Sequence, residues 1–256
     1  MTSMTAPNSS FQGNRTLLYI RSALLLFCVL GLTLSIGVMI LALTVFSFSV
    51  RYKLAHFWAT TVLWLTKLIC QLDYRIEGLE NIPKNQNAII LCKHQSAWET
   101  IALYAIFPPQ VTVLKRELLW LPIWGWAAAT LKPIALDRQN QLSALKKLIR
   151  DGKTRLNEGL WVLIFPEGTR TKPGVATKFN LGGCLLAEKS QYPIIPVAHN
   201  AGEFWPRYSF LKYPGTITIR IGPVIASEGR KAIELNYEAE TWVETAMQDI
   251  HLTNTH

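Results

Sequence analysis

The sequence is poor in cysteine and lacks the local motifs of several large enzyme classes. Its four cysteines are far apart among 256 residues and form no CxxC pair, which argues against a disulfide framework and a zinc site. There is no Walker loop, no GxGxxG and no cluster of metal-ligand residues. A GxSxG elbow is also missing, which argues against a serine acyl-enzyme. We therefore expect neither a metal nor a bound cofactor.

Charged residues are missing from a long stretch near the N-terminus, residues 22–50. As a helix this stretch would be roughly 43 Å long, which exceeds the ~30 Å hydrocarbon thickness of a bilayer. It predicts either a tilted transmembrane helix or a bent insertion into one leaflet, which Gly31 and Gly37 would permit. A signal peptide is less favoured, because its apolar region would be shorter and no cleavage site follows. Basic residues on both sides leave the orientation open.

The rest of the chain divides by composition. Residues 1–16 are polar and predict a flexible tail, and residues 54–72 mix aromatic with polar side chains, as interfacial helices do. We therefore expect membrane-embedded or interfacial helices over residues 17–72 and a catalytic domain over residues 73–256. The net charge of +9 suits anionic partners such as membrane lipid or a phosphorylated substrate. The basic residues are scattered and match no nucleic-acid-binding module, so no nucleic acid is expected.

Short apolar runs alternate with helical patterns beyond residue 87. This alternation predicts an α/β layered domain. The strand candidates are residues 88–92, 111–114, 133–136, 160–165, 194–198 and 216–221. The helix candidates are residues 97–106, 116–129, 139–157, 180–190 and 236–250.

His94 and Glu99 are the first candidates for chemistry. His94 follows an apolar run, and a histidine at a strand end can take a proton from an alcohol if a partner orients its ring. Glu99 could be that partner if His94 lies in a loop and Glu99 in the first turn of a helix. Ser96 and Glu99 form a capping-box pattern that supports this break, with Ser96 as N-cap and Glu99 at N3. Glu99 could equally be only a cap, and its two oxygens would allow both roles.

A second group lies at residues 165–170, FPEGTR, directly after another apolar run. Gly168 allows a close approach of the backbone to a ligand, and Thr169 and Arg170 can bind phosphate. A plain polar turn is the alternative. Other apolar runs end in a cation, and ligands bind at the carboxyl ends of strands in open α/β sheets. These further positions are Lys115, Arg138 and His199, of which His199 is predicted to be a structural histidine.

Taken together, these segments resemble the motifs of the glycerolipid acyltransferases, most closely bacterial enzymes that act on 1-acylglycerol-3-phosphate. The family motif H-x4-D is matched by HQSAWE, with Glu99 where most members have aspartate. The other similarities, in the same order and spacing, are KREL at residues 115–118, IALDR at 134–138, FPEGTR at 165–170 and IIPV at 194–197. We interpret Glu99 as a variant of the acid rather than a loss of it, because the carboxylate is kept.

The resemblance implies a mixed-sheet acyltransferase domain preceded by membrane-inserted helices. It implies that His94, held by Glu99, deprotonates the hydroxyl of lysophosphatidic acid, which then attacks the thioester of acyl-CoA or acyl carrier protein. The residues expected to bind the acceptor are Lys115, Arg138, Glu167, Gly168, Thr169 and Arg170. The expected location is the bacterial inner membrane, with the catalytic domain on the cytoplasmic side. Another acceptor, or a non-catalytic lipid-binding role, is the alternative.

Overall fold

A computed structural model describes residue 11 and residues 13–253. The helices are α1 (Arg15–Ala42), α2 (Phe48–Cys70), α3 (Trp98–Ile106), α4 (Trp124–Ala129), α5 (Gln141–Asn157), α6 (Gly182–Ser190), α7 (Ala201–Phe204) and α8 (Ala232–Thr253). The strands are β1 (Leu72–Glu77), β2 (Ile89–Cys92), β3 (Gln110–Lys115), β4 (Ile134–Leu136), β5 (Trp161–Ile164), β6 (Ile194–His199) and β7 (Gly215–Ile221). Most of the predicted tail lies outside the described residues, and its last two residues, Arg15 and Thr16, belong to α1.

The seven strands form one mixed sheet in the order β1-β7-β6-β2-β5-β3-β4. The five strands from β6 to β4 are parallel, whereas β7 is antiparallel to β6 and β1 is parallel to β7. The central strand β2 is buried at every position, as expected of a parallel strand covered on both faces. The layered α/β architecture predicted from the alternating runs is therefore present.

Two helical layers cover the sheet. On one face, Ile90 and Cys92 of β2 belong to a core that includes residues of α1, α2 and α3. On the other face, Ile89 and Leu91 belong to a core with α5, α6 and α8. The alternation of neighbouring residues between the two cores follows from the two-residue repeat of a strand. α3, which carries Glu99, therefore lies in the same layer as the N-terminal helices.

Helix α1 has 28 residues, which corresponds to about 42 Å. Among the described helices it alone has the length and the apolar composition to cross a membrane, which indicates an association with the membrane. The helix packs on the rest of the protein near both ends. Ser22 accepts a hydrogen bond from the backbone N–H of Lys212 at 3.0 Å, and Ile40 shares a core with Ala127 of α4.

Two predicted helices are interrupted. The uncharged stretch 22–50 does not form one helix, because α1 ends at Ala42 and Arg51 donates hydrogen bonds to the carbonyls of Thr44 and Phe46 in the turn that follows. The helix predicted at residues 116–129 is a 3-10 helix, Arg116–Trp120, followed by α4. The break falls at Pro122, whose ring disfavours the helical conformation in the residue before it.

Candidate active site

The predicted site residues gather at one edge of the sheet. Strands β2 to β6 are parallel, so their carboxyl ends meet there. The side chains in question follow these ends: His94 after β2, Lys115 at the end of β3, Arg138 after β4, residues 165–170 after β5 and His199 at the end of β6. Five positions that are remote in sequence therefore lie along the same edge.

The imidazole of His94 is oriented by Glu99. The chain leaves β2 in an irregular segment and enters α3 at Trp98, which lets the two side chains meet with His94 Nδ1 at 2.8 Å from Glu99 Oε1. A carboxylate only accepts hydrogen bonds, so Nδ1 carries the hydrogen and Nε2 keeps its lone pair. Within the described part of the chain no group hydrogen-bonds Nε2. The ring stacks on Phe165, with centroids 4.0 Å apart, which fixes its plane.

One oxygen of Glu99 organises the whole loop. Oε1 also accepts hydrogen bonds from the backbone N–H groups of Gln95 at 2.9 Å and Ser96 at 2.8 Å. The two roles considered from the sequence, orienting the histidine and bonding the backbone, therefore fall on the same atom rather than on two. Oε2 is buried and has no hydrogen-bond partner among the described residues.

The side chain of Ser96 caps the start of α3. The cap position is Ala97, and the hydroxyl of Ser96 accepts a hydrogen bond from Trp98 N at 3.1 Å. The same hydroxyl donates to the carbonyl oxygen of Trp205 at 2.6 Å. Ala97 already has helical backbone angles, and the backbone N–H of Ser96 donates to Glu99 Oε1, so Ser96 fills the capping role predicted for it although α3 is assigned from Trp98.

His199 is a fully buried histidine with both ring nitrogens engaged. Nε2 lies 2.8 Å from the carbonyl oxygen of Lys93 and donates to it, and Nδ1 accepts from the backbone N–H of Ala201 at 3.2 Å. This is the structural role that the sequence predicted. Nε2 also lies 3.9 Å from Glu99 Oε2, so two histidines flank one carboxylate.

Electrostatics set the protonation of these groups. Burial by itself would raise the pKa of Glu99, but the proximity of His199 and the hydrogen bonds from His94 and Ser96 hold it below its ordinary value. Burial lowers the pKa of His199, and the nearby Glu99 opposes that shift. Burial also raises the pKa of the neighbouring Cys92 thiol, so Cys92 is not a thiolate nucleophile. The histidine at position 94 is the group placed to exchange a proton.

The loop of residues 165–170 is joined to the backbone of His94. Glu167 Oε1 accepts from His94 N at 3.3 Å, and the backbone N–H of Thr171 donates to His94 O at 2.7 Å. Gly168 closes a turn with Phe165 and has φ of 72°, a left-handed conformation that favours glycine. Burial raises the pKa of Glu167 to about 7. The Glu167 carboxylate thus contacts the backbone of the segment that carries His94 and helps to fix its position.

The predicted phosphate ligands differ in how many hydrogen bonds and ion pairs they already form with protein groups. Arg170 forms no side-chain hydrogen bond or ion pair with the described residues, and its Nε is buried. Arg138 donates to the carbonyl oxygen of Gly168, which leaves its other N–H groups available. Lys115 is exposed and lies 3.9 Å from Glu117, and Thr169 is exposed on the loop. Of these three cations, Arg170 has the fewest side-chain partners among the described residues.

Two contacts beside the site were not predicted. The ammonium of Lys93 is buried, 2.6 Å from Glu244 Oε1 on α8 and 3.8 Å from Glu167 Oε1. Arg207 donates to the carbonyl oxygen of Arg170. Lys93 directly follows the apolar run of β2, where a side chain is expected to be buried. A buried ammonium needs a carboxylate partner, so an ion pair at this position could have been predicted, although not its partner. Glu244 and Arg207 carry no local signal, since their partners are distant in sequence.

No group of three or more histidine, cysteine or acidic residues within the described residues could hold a metal ion. The groups at this edge include one oriented imidazole and an arginine whose side chain has no partner among the described residues.

Comparison with known proteins connects this arrangement to lipid enzymes. A family model described as Acyltransferase matches residues 73–200. The chain is 48% identical over 207 residues to the 1-acyl-sn-glycerol-3-phosphate acyltransferase of Pseudomonas aeruginosa, a match that covers 79% of this chain and 80% of that one. It is 28% identical to the mouse 1-acyl-sn-glycerol-3-phosphate acyltransferase alpha over 64% of this chain and 58% of the mouse protein.

The fold is also similar to a solved structure. The crystal structure of the 1-acyl-sn-glycerophosphate (LPA) acyltransferase PlsC from Thermotoga maritima matches with a TM-score of 0.79. The match covers 92% of this chain and 97% of that one at 22% sequence identity. The predicted fold class, an α/β domain with a mixed sheet after N-terminal helices, is confirmed by this similarity.

Proposed function

Because the chain belongs to the acyltransferase family, we propose that it transfers a fatty acyl group from an acyl thioester to the sn-2 hydroxyl of 1-acylglycerol-3-phosphate. The product is phosphatidic acid, a precursor of membrane phospholipids. The observation that carries the proposal is the 2.8 Å contact between His94 Nδ1 and Glu99 Oε1, which leaves Nε2 free at the carboxyl edge of the sheet. The relatives named for this reaction support the choice of acceptor.

The first step is removal of a proton from the acceptor. His94 Nε2 takes the hydroxyl proton as the oxygen attacks the thioester carbonyl, and general-base help of this kind contributes typically ~10²–10⁴-fold in rate. The imidazolium formed in this way bears its new charge directly beside the Glu99 carboxylate. Because that carboxylate also holds two backbone N–H groups, its position does not change when the charge appears.

The second step is collapse of the tetrahedral intermediate. The carbon–sulfur bond of the thioester breaks, and the proton held by His94 passes to the departing sulfur. The products are an ester, phosphatidic acid, and a free thiol on coenzyme A or carrier protein. No group on the enzyme is acylated and the histidine returns to its starting state, so no resident cofactor is needed. Both thioesters are co-substrates in this scheme.

The acceptor phosphate binds at the cations of the same edge. Arg170 is the first choice, because a buried guanidinium nitrogen without a protein partner calls for an external acceptor. The planar guanidinium can hold phosphate through two parallel hydrogen bonds. Arg138 and Lys115 follow neighbouring strands and add positive charge, and Thr169 supplies a hydroxyl on the loop.

We further propose that the enzyme is held at the bacterial inner membrane with its catalytic domain on the cytoplasmic side. Helix α1 supports membrane association, and the acceptor is itself a membrane lipid. The cytoplasmic side is preferred because the acyl thioesters used by bacteria are made there. Protease accessibility of residues 73–253 in inverted and in right-side-out vesicles would test this orientation.

The decisive experiment is an assay of the purified protein with separate acceptors and donors. Lysophosphatidic acid, glycerol-3-phosphate and other lysophospholipids are each offered with acyl-CoA or acyl carrier protein, and thiol release is measured. We expect thiol release with lysophosphatidic acid to exceed that with the other acceptors. Thiol release that no acceptor stimulates would contradict the proposed transfer, and preference for another acceptor would correct its substrate.

A further inference from the structure

We propose that residues 118–126, here called the tryptophan loop, are a lipid-contacting surface that rests in the headgroup region of the bilayer beside α1. The membrane segment predicted from the sequence, residues 17–72, does not include this loop. The contact does not depend on the proposed acyl transfer, because it concerns only where this surface lies.

The tryptophan loop exposes a cluster of large apolar side chains. Trp120 is 66% exposed and Trp126 is 52% exposed. Leu118 and Leu121 are exposed beside them, so four large apolar residues lie on the surface within nine positions. Such clusters mark interaction sites, whereas single exposed apolar residues are ordinary. Tryptophan is the residue most typical of the interface between hydrocarbon and water.

The tryptophan loop is continuous with α1. The side chain of Ile123 packs so closely on Gly37 that a Cβ at Gly37 would lie 2.7 Å from Ile123 Cγ2. Ala127 of α4, directly after the loop, shares a core with Ile36 and Ile40 of α1. α1 also exposes apolar side chains along its length, among them Leu30, Leu34 and Val38. Because the loop packs on α1, a membrane that covers the exposed apolar side chains of α1 also lies close to the loop.

The backbone of the loop is held in an uncommon conformation. Ile123 has φ of 62° and ψ of −63°, and Trp124 N donates to Pro122 O at 2.7 Å, which is a strained γ-turn. A positive φ is unfavourable for a β-branched residue. The packing of Ile123 on α1 offsets this cost. The tryptophans are thus presented by a fixed turn and not by a loose loop.

The charges around the loop favour lipid over protein as the occupant. Residues 118–126 contain no charged residue, so the surface has nothing to pair with a charged protein patch. Lys115 and Arg116 are exposed and precede it with Glu117 between; Lys115 lies 3.9 Å from Glu117, and Arg116 lies 2.9 Å from Asp137. Exposed basic side chains next to an apolar insertion can exchange such surface partners for anionic lipid headgroups, to which they are attracted. The surface therefore has the two parts of an interfacial lipid contact.

The test compares fluorophores at two positions that are both more than 60% exposed. Trp120→Cys and Tyr237→Cys, on a Cys28→Ser background, are labelled with an environment-sensitive dye; Tyr237 is 75% exposed on α8 in the opposite layer. The other three cysteines are buried. The proteins are reconstituted in phosphatidylethanolamine–phosphatidylglycerol vesicles that carry a spin-labelled lipid, and iodide is the aqueous quencher.

We expect the lipid quencher to reduce emission at position 120 and iodide to reduce it at position 237. Quenching at position 120 by iodide alone would overturn the proposal. Protection at position 120 from both quenchers would overturn it as well, since it would mean that protein covers the loop. As a second measurement, Trp120→Ser with Trp126→Ser should raise the KM for vesicle-borne acceptor several-fold and leave the KM in detergent micelles unchanged. Equal changes in vesicles and micelles would also count against a lipid contact.

Discussion

The ends of strands β2 and β6 lie side by side, and each delivers a histidine to the same carboxylate. His94 after β2 contacts Glu99 Oε1 and has an unoccupied Nε2, whereas His199 at the end of β6 is buried with both nitrogens bound to backbone groups. The environment, and not the residue type, decides which imidazole can exchange a proton. His94 can exchange a proton because its Nε2 is unoccupied, whereas His199 uses both ring nitrogens to hold the backbone in place.

This difference has a physical origin in the two chain paths. After β2 the chain leaves the sheet in an irregular segment, so His94 retains 14% exposure. After β6 the chain enters α7 within two residues and folds over the His199 ring. A histidine whose ring nitrogens both serve the backbone stabilises the loops, and replacing it should alter folding before chemistry.

The largest effect is expected from His94→Ala. Loss of the general base should reduce turnover by at least ~10²-fold, while the unfolding midpoint should fall less than for His199→Ala, because Glu99 keeps its hydrogen bonds from Gln95 and Ser96. Thiol release and thermal unfolding in detergent would be measured on the same preparation. Turnover within a few-fold of the parent enzyme would contradict the role of His94.

The next largest effect is expected from Glu99→Gln. The amide oxygen can still accept from Gln95 and Ser96, but the negative charge beside the imidazolium is lost, so turnover should fall by roughly 10–10³-fold with little loss of stability. Glu99→Ala is the control, because it removes the backbone contacts as well and should also destabilise the protein. If Glu99→Gln is fully active and only Glu99→Ala is impaired, Glu99 is a cap and not an orienting acid.

Glu99→Asp tests how closely the backbone is matched to the longer acid. The shortened side chain withdraws the carboxylate by roughly one bond, ~1.5 Å, from His94 Nδ1. A displacement of about 1 Å at a reacting group can cost ~10²-fold, so we expect a fall in turnover of about 10-fold or more. Retention of full activity would mean that the loop adjusts to either acid.

His199→Ala should reverse the pattern seen at His94. It leaves Lys93 O and Ala201 N without their partner, at a cost of about 1–3 kcal/mol for each buried group, so the unfolding midpoint should fall clearly. Turnover of the folded fraction should stay within about tenfold, because this ring takes no proton in the mechanism. His199→Asn keeps an acceptor for Ala201 and should recover part of the stability. A loss of turnover equal to that of His94→Ala, without a loss of stability, would contradict the comparison.

The smallest effect is expected from Glu167→Gln and depends on pH. The pKa of Glu167 is raised to about 7 in the folded protein from an ordinary 4.5, so the folded state binds the extra proton. Stability attributable to this group therefore falls as pH rises from 4.5 to 7, by up to about 3 kcal/mol, and is constant above that. Glu167→Gln should flatten this part of the profile, which chemical unfolding at pH 5 and pH 7.5 would detect. An unchanged slope would contradict the assignment.

The elements with local signals were predictable. Apolar runs located the strands to within two residues, as at β2, because burial on both faces leaves a continuous hydrophobic run. His94 and Glu99 could be paired from sequence because the break between them is also local. What was missed depends on contacts that are distant in sequence. Glu244 reaches Lys93 across 151 positions, and no short pattern announces such a pair.

The interrupted helices show a second limit. The uncharged stretch 22–50 left open one long helix or a bent insertion, and the helix in fact ends at Ala42, before a turn whose carbonyls bind Arg51. The helical pattern of residues 116–129 continues across Pro122, where the structure breaks the segment into a 3-10 helix and α4. The hydrophobic pattern therefore predicts where a segment lies, whereas single residues such as Arg51 and Pro122 determine where its helix ends.

The ion pair between Lys93 and Glu244 also bears on how the protein is made. Synthesis proceeds at about 5–20 residues per second, so α8 emerges on the order of ten seconds after the β2 segment. During that interval Lys93 lacks its closest counterion, and enclosing an unpaired ammonium is unfavourable by several kcal/mol. The edge of the sheet that carries His94 therefore closes only when the last helix docks. The apolar α1, made first, has by then left the ribosome, so the chain can reach the membrane before it can catalyse.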